Sequence, residues 1–499
     1  MPKHTIRRLV LVAFLAALAT PALATPALAA PIVTTDQGAL TGATDNGVDS
    51  YKGVPYAAPP VGDLRWRAPQ PGPHWRAPRD AAAFGAVCPQ HVTAGPIARA
   101  NLLQSEDCLS LNVWTPAQHA GGKLPVMVWI HGGGFTQGGA SVPRYDGAQL
   151  ARRGVVLVSF NYRLGRLGFF PHPALDDANF GLLDQIAALG WVKRNIAAFG
   201  GDPANVTVFG ESAGGISVDL LMTAPLAKGL FAKAISESGG LFGPMATIAD
   251  ARKGALDFAA KLKATDLAAL RAASVAQVLA ADDDDDDDGP VIDGKVVTED
   301  PMAAFVDGRA AGIPYLTGTN SDEGAELRDG QTDWVAKPFG DKLPALRALY
   351  EKDGKLSDDD FHRRLFSDRF FAGPTSRLAA HAGPPVYVYR FAFRNALTRG
   401  RGEAGVRHGG ELGFVFGFGP LAVFAPPQDI AVQDRMQLYW TNFARTGDPN
   451  GPGLPLWPTF EGPSPQTLVI DDTTHPVADF RKAQFNAALR LWSQPAAVP

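Results

Sequence analysis

Cysteine is scarce in this chain: there are two, Cys88 and Cys108, among 499 residues. So few cysteines exclude a small scaffold held together by several disulfides. An even count is typical of a single disulfide in an oxidising compartment, and the alternative is two unpaired buried thiols. A bridge would close a loop of 19 residues and stabilise the fold by roughly 3 kcal/mol in the chain-entropy model.

Excess charge of one sign is also lacking, since 46 Lys and Arg residues stand against 50 Asp and Glu residues. The run Asp282 to Asp288 supplies seven of the negative charges, and the remaining residues carry a net charge of +3. Neither balance indicates binding to nucleic acid or to an anionic membrane surface. We interpret the run as a solvated loop, because calcium loops space their ligands with glycine and turn residues.

A C-terminal hydrophobic tail is missing, so neither a C-terminal anchor nor a lipid-anchor signal is predicted. The apolar stretch Leu9 to Ala19 is short for a membrane span and follows a basic start. Small-residue cleavage motifs end at Ala24 and Ala29. Residues 1–29 are therefore predicted to be a cleaved signal peptide of a secreted or periplasmic protein. The alternatives are cleavage after Ala24 and an uncleaved anchor.

Internal repeats and long linkers are absent too, which favours one domain over residues 30–499. Apolar runs of strand length alternate with helical patterns and predict an α/β protein whose mostly parallel sheet is covered by helices. The stretch Tyr51 to Pro71, rich in proline and glycine, is predicted to be an ordered loop. The main predicted strands are 124–130, 155–162, 206–209, 234–236, 315–319, 386–391 and 468–470, and the clearest predicted helix is 180–199.

One short segment carries the strongest chemical signal. A β-branched strand, Val206 to Phe209, leads into Gly210-Glu211-Ser212-Ala213-Gly214, and a helical pattern follows from Ile216. Strand, sharp turn and helix around Gly-x-Ser-x-Gly are typical of a nucleophile elbow. Ser212 is thus the candidate nucleophile, and it needs a base, an acid that orients the base, and donors for an oxyanion.

The candidate oxyanion loop is His131-Gly132-Gly133-Gly134-Phe135, directly after a predicted strand. Consecutive glycines at a strand end present backbone N–H groups to a ligand without interference from side chains. The N–H groups of Gly133 and Gly134, together with that of Ala213, are predicted to form a three-donor oxyanion hole.

The base and acid are sought after Ser212, because folds with such an elbow place nucleophile, acid and histidine in that chain order. Four histidines qualify, and His408 is favoured by the glycines around it. The acid is expected in the segment after strand 315–319, where the residues alone do not separate Asp322 from Glu323. The four histidines are His362, His381, His408 and His475.

Taken together, these motifs resemble the type-B carboxylesterase family, which includes cholinesterases and bacterial para-nitrobenzyl esterases. The resemblance extends from about Pro31 to the last predicted strand and implies an α/β-hydrolase fold. The motifs that carry it are Ser105-Glu106-Asp107-Cys108-Leu109, His131 to Phe135, Asn161 to Gly165, Phe199 to Pro203 with the elbow, Ser321 to Gly324, and Gly405 to Leu412.

This resemblance implies roles for individual residues. It selects Glu323 as the acid and His408 as the base, and it implies that Ser238 is a buried serine that supports the acid. Glu211, beside the nucleophile, is a candidate for tuning His408. The resemblance also implies two buried ion pairs of structural importance, Arg65 with Glu106 and Arg163 with Asp184.

The sequence departs from the choline-specific members of that family. Between Pro89 and Asp107 there is no aromatic residue, so a cation–π platform for a quaternary ammonium is missing there. The expected function is a serine carboxylesterase that acts on small-molecule esters, with no metal, organic cofactor or nucleic-acid partner and no membrane anchor after signal cleavage. The alternatives are a lipase, a hydrolase of one bulky natural ester, and a non-catalytic binding protein of the same fold.

Overall fold

A large twisted sheet forms the centre of the protein. The computed structural model describes residues 30–491 except 92–99, 101, 118–121, 241–242, 283–288, 311 and 328–332. Its strands are β1 Ile32–Thr35, β2 Gly38–Thr41, β3 Ala43–Asp45, β4 Val48–Pro55, β5 Arg79–Asp80, β6 Ser110–Pro116, β7 Leu124–Ile130, β8 Val156–Phe160, β9 Gly201–Glu211, β10 Lys233–Glu237, β11 Tyr315–Asn320, β12 Val386–Phe391, β13 Gln466–Ile470 and β14 His475–Ala478.

The central sheet has the strand order β14-β13-β12-β11-β10-β9-β7-β8-β6-β4-β3, and a small second sheet has the order β1-β2-β5. Seven adjacent strands run parallel to one another, in the spatial order β13, β12, β11, β10, β9, β7 and β8. The outer strands pair antiparallel: β14 at one edge, and β6, β4 and β3 at the other. Parallel strands bring their carboxyl ends to one edge of the sheet, where ligands bind in open α/β folds.

Helices cover both faces of this sheet. They are α1 Ala148–Arg152, α2 Gly165–Gly168, α3 Phe180–Asn195, α4 Ala213–Thr223, α5 Ile248–Lys261, α6 Leu267–Ala272, α7 Val275–Ala281, α8 Pro301–Val306, α9 Asp333–Ala336, α10 Leu343–Tyr350, α11 Asp358–Phe366, α12 Gly373–Ala379, α13 Ala396–Gly400, α14 Leu412–Val415, α15 Pro427–Thr446 and α16 Lys482–Ala488. A π-helical turn, Ser367–Ala372, joins α11 to α12. None of the helices within the described ranges is long and apolar enough to cross a membrane.

The alternation of side chains along β7 shows how the two layers are built. Val126, Val128 and Ile130 pack on one face with α3 and α4. Met127 and Trp129 pack on the other face with α14 and α15. Both faces of the strand are therefore buried, which explains its continuous apolar run.

The sequence predicted this α/β architecture and its strands, but one prediction was wrong. Val48–Pro55 is strand β4, so the segment from Tyr51 begins as a strand and not as a loop. Its pairing with β6 shifts between Tyr51 and Val54, and the N–H of Gly53 there donates to Asn112 Oδ1. The side chain of Asn112 thus accepts the hydrogen bond that a regular strand partner would take from Gly53. This lets the strand continue through a glycine that by composition indicated a loop.

Covalent and ionic links fix the segments around the sheet. Cys88 and Cys108 form a disulfide. Arg65 pairs with Glu106 at 2.6 Å, and Arg163 pairs with Asp184 at 2.7 Å in a buried bidentate contact.

Two segments singled out in the sequence lie outside the described residues. They are the predicted signal peptide and all but the first residue of the aspartate run. That first residue, Asp282, accepts a hydrogen bond from the Arg166 N–H at 3.2 Å.

Candidate active site

Ser212 occupies a sharp turn between β9 and α4. Its φ of 58° and ψ of −126° lie in a region that a residue with a side chain seldom adopts, and such strain concentrates at functional sites. The turn is possible because its neighbours are glycines: a Cβ on Gly214 would lie 2.0 Å from the carbonyl oxygen of Ile130. The helix begins at Ala213, earlier than the apolar pattern from Ile216 indicated.

The glycine loop lies against this turn, since a Cβ on Gly132 would lie 3.0 Å from Ser212 Cβ. Gly133 and Gly134 follow β7 with φ values of 116° and 64°. Thr136 and Gln137 donate to the Gly133 carbonyl, which fixes the loop. Among the described residues, no protein acceptor takes the N–H of Gly133, Gly134 or Ala213, so all three remain available to a ligand.

His131 supports the candidate oxyanion loop without carrying charge. Its fully buried ring stacks on Tyr162 at 4.4 Å between centroids, and its Nδ1 lies 2.9 Å from the Gly132 carbonyl. Burial lowers the pKa of His131 to about 4, although the Gly132 carbonyl opposes this shift. The imidazole therefore stays neutral near pH 7 and donates from Nδ1.

Glu323 is placed directly after β11 and is completely buried. Its Oε1 accepts hydrogen bonds from the Ser238 hydroxyl and from the Asn320 N–H, both at 2.6 Å. Its Oε2 lies 2.7 Å from His408 Nδ1. Two donors thus fix the carboxylate in the orientation that meets the imidazole.

The imidazole of His408 lies between two carboxylates. Nδ1 meets Glu323, and Nε2 lies 3.2 Å from Glu211 Oε1. Within the described part of the chain, Ser212 Oγ makes no hydrogen bond to His408. Nε2 faces the residue next to the serine, and such contacts often align only once substrate is bound.

Charge explains the basicity of this imidazole. Burial by itself lowers the pKa of His408, but the charges of Glu211 and Glu323 outweigh it and raise the pKa to about 10. Both carboxylates favour the imidazolium form. The site therefore stabilises the charged histidine that a proton-accepting base becomes.

Two further carboxylates complete a buried acidic cluster that the sequence interpretation did not assign. Glu237 ends β10 and accepts a hydrogen bond from Trp440 Nε1 at 2.9 Å. Glu411 accepts one from Asn320 Nδ2. Burial, with the neighbouring carboxylates, raises the pKa of Glu411 to about 8 and that of Glu237 well above its usual range. Glu411 lies three residues after His408 in the same glycine-rich motif, and this position could have indicated that it belongs to the site.

The structure also separates the competing candidates. Asp322 pairs with Arg363 at 3.3 Å, whereas Glu323 is the carboxylate next to His408 Nδ1. His381 contacts the carbonyl of Arg377 and His475 lies near Asp471, both on exposed segments. No group of three or more His, Cys, Asp or Glu side chains in the described ranges could hold a metal ion.

The chain is similar to known proteins over most of its length. The model of the carboxylesterase family matches residues 29–342 and 343–492. The chain is 37% identical over 486 residues to the fumonisin B1 esterase of Sphingopyxis macrogoltabida, covering 90% of this chain and 88% of that protein. It is 38% identical over 477 residues to the para-nitrobenzyl esterase of Bacillus subtilis (strain 168), covering 88% of this chain and 94% of that protein.

A solved structure of a PNB esterase superposes with a TM-score of 0.81 at 36% identity, covering 92% of this chain and 99% of that one. The likeness thus extends over nearly the whole described fold, including the α/β-hydrolase sheet and the elbow. The chain belongs to the carboxylesterase family and is a carboxylic ester hydrolase.

Proposed function

We propose that the protein hydrolyses small-molecule carboxylic esters through an acyl-enzyme, with Ser212, Glu323 and His408 as the catalytic residues. The observation that best supports this is the contact between the buried Glu323 and the partly buried His408. The second ring nitrogen of His408 faces Glu211 in the elbow, and three backbone N–H groups nearby have no protein acceptor among the described residues. A serine hydroxyl becomes an effective nucleophile only when a positioned base takes its proton.

In the first half-reaction, His408 acts in its neutral form: Nε2 turns from Glu211 to Ser212 and accepts the hydroxyl proton as Oγ attacks the ester carbonyl. The carbonyl oxygen becomes an oxyanion and receives hydrogen bonds from the N–H groups of Gly133, Gly134 and Ala213. Glu323 keeps the imidazole in place and stabilises its charged form. His408 then returns the proton to the departing alcohol.

In the second half-reaction, water takes the place of the alcohol. His408 accepts a proton from that water as it attacks the acyl group on Ser212, and the same donors bind the second oxyanion. The proton then passes to Ser212 Oγ, which releases the carboxylic acid and restores the free enzyme.

Hydrolysis of short- and long-chain p-nitrophenyl esters by the mature protein, beside Ser212→Ala, tests this proposal. We expect turnover by the wild type and its near-complete loss in the variant, with an organophosphate labelling only the wild type. Equal inactivity of both proteins, together with failure of the label, would favour the binding-protein alternative.

A hydrolase dedicated to one bulky natural ester is the second candidate. The relative named fumonisin B1 esterase, at 37% identity, favours it. A ratio of kcat/KM that strongly favours a bulky ester over p-nitrophenyl acetate would support this candidate. A lipase is distinguished by activation at an oil–water interface.

We also propose that the protein is exported after removal of residues 1–29, leaving a domain of residues 30–499. The disulfide between Cys88 and Cys108 supports an oxidising compartment. N-terminal sequencing of the exported protein tests this: Ala30 as the first residue agrees with the proposal, and Thr25 indicates cleavage after Ala24. Retention of Met1 on a cell-associated protein contradicts it.

A further inference from the structure

A second cavity opens between α12 and α16, and none of its lining residues belongs to the candidate active site. Its volume is about 520 Å³, which lies in the range of small-molecule sites. Its apolar wall consists of Phe460, Phe480, Phe485 and Leu489. Phe460 and Phe485 are buried among other side chains, so the wall is preformed.

The rim of this cavity is basic. Arg377 and Arg490 line it and are exposed, and no carboxylate pairs with either among the described residues. Lys482 also lines the cavity, but Asp479 neutralises it at 2.8 Å. Two guanidinium groups therefore remain free to bind an anion at the edge of an aromatic wall.

A buried cation lies behind the same wall. A recess of about 10 Å³, room for roughly one water molecule, shares Ser376, Phe480 and Phe485 with the cavity and reaches Arg390. The guanidinium of Arg390 is 8% exposed and bonds to two neutral acceptors, the Thr319 hydroxyl and the Ser321 carbonyl. Within the described ranges it has no ion-pair partner, but the nearby carboxylates of Asp368, Glu323 and Asp322 offset its charge. The positive potential of the cavity therefore comes from the two arginines of the rim.

We propose that this cavity binds a monocarboxylate that carries an apolar chain or ring. The apolar part packs on the phenylalanine and leucine wall, and the carboxylate binds Arg377 and Arg490 at the rim. A cationic amphiphile meets repulsion from Arg377 and Arg490, and a neutral one leaves both of them unpaired. Acids released by ester hydrolysis belong to the proposed class, but the site is separate from the catalytic residues and does not depend on the proposed function.

Calorimetric titration with dodecanoate below its micelle concentration tests the proposal. Two variants act on different parts of the cavity: Ala380→Trp fills its mouth from an exposed position, and R377Q/R490Q removes the rim charges. The matched control, R76Q/R252Q, makes the same change of net charge at exposed arginines outside the cavity. Dodecyltrimethylammonium serves as the ligand of inverted charge.

We expect one dodecanoate site that Ala380→Trp abolishes, that R377Q/R490Q weakens about fivefold or more, and that the control leaves unchanged. Circular dichroism and ester hydrolysis report whether each variant folds. If Ala380→Trp does not fold, the binding measured for R377Q/R490Q decides between the outcomes. Three results would overturn the proposal: no binding by the wild type, dodecanoate binding that both cavity variants leave intact, or equally tight binding of the cationic amphiphile. Intact binding in both cavity variants would assign dodecanoate to another site, such as the ester site.

Discussion

The two sides of Ser212 differ sharply in charge. On the side of His408, four glutamates converge with side chains that are buried: Glu211, Glu237, Glu323 and Glu411. On the side of the oxyanion loop, Gly132 to Gly134 offer only backbone groups, and the nearby His131 is kept neutral by a pKa lowered to about 4. Glu211 marks the border, since a Cβ on Gly132 would lie 2.6 Å from its carbonyl oxygen and 2.9 Å from its carboxylate Oε2.

This separation matches the two charges that the proposed mechanism creates. In that mechanism a positive imidazolium develops on one side and is stabilised by carboxylates. A negative oxyanion develops on the other, where fixed N–H dipoles stabilise it and a carboxylate would oppose it. The site therefore depends on keeping its negative groups on the side of His408.

The largest expected effect comes from removing the charge that orients the imidazole. Glu323→Gln keeps the size of the side chain but replaces the carboxylate oxygen that faces His408 Nδ1 with an amide N–H₂ group, because Ser238 and Asn320 hold the other oxygen. The tautomer of His408 is then no longer selected, and we expect kcat to fall about 10³–10⁴-fold. Steady-state kinetics with a p-nitrophenyl ester measure this.

Asp322→Asn is the matched control, because Asp322 pairs with Arg363 and not with His408. A small loss in Asp322→Asn beside a large loss in Glu323→Gln assigns the acid. The reverse result would show that Asp322 is the acid and that the buried pair is structural.

The second effect tests the neutral side. In Gly132→Ala the new methyl would lie 2.6 Å from the Glu211 carbonyl oxygen and 3.0 Å from Ser212 Cβ, so the loop must shift. We expect kcat to fall about 10²–10³-fold, as when one oxyanion donor is lost, with a smaller change in KM.

Gly47→Ala provides the comparison for backbone effects. Gly47 has a φ of 76° and nothing within 4 Å of an added Cβ, so the substitution should lower the Tm slightly and leave kcat unchanged. Full activity of Gly132→Ala with a normal Tm would show that the close approach of the two loops is unnecessary.

The third effect concerns the border residue. Burial lowers the pKa of His408, and the charges of Glu211 and Glu323 raise it to about 10. Because the base acts in its neutral form, kcat/KM of the wild type should rise into the alkaline range. Glu211→Gln removes one of these charges, so the rise should move to lower pH by about 1–3 units. An unchanged pH profile would show that Glu211 does not act on His408.

The sequence could predict the parts of this site that are continuous in the chain. The elbow and the glycine loop each lie in a few consecutive residues next to a buried apolar strand, so local pattern and position agree. The choice between Asp322 and Glu323 could not be made from the residues, since they are neighbours after the same strand. It depends on Ser238 and the Asn320 N–H, which orient only one of them toward His408.

Other features required the three-dimensional arrangement. Glu237 is polar and stands in a short Ser-Glu-Ser segment, and only the pairing of β10 between β9 and β11 buries it. Strand β4 was missed because Gly53 and Pro55 are turn residues by composition, whereas here the irregular pairing with β6 accommodates them. Both errors come from long-range pairing that outweighs local preference.

The smallest expected effect concerns how many charges the acidic side carries. The pKa of Glu411 is raised by burial and by Glu211 and Glu323 from 4.5 to about 8, so the folded protein holds a proton there that the unfolded chain releases above its own pKa. Stability should therefore fall as pH rises from about 5 to 8, by up to about 1.4 kcal/mol per pH unit for one such group.

Glu411→Gln cannot release this proton and should lose less stability over that range, with little change in kcat near neutral pH. Urea unfolding at pH 5 and pH 8 measures the difference, with the exposed Glu461→Gln as control. If both variants lost stability as the wild type does, Glu411 would be ionised in the fold, and its negative charge would add to those of Glu211 and Glu323 beside His408.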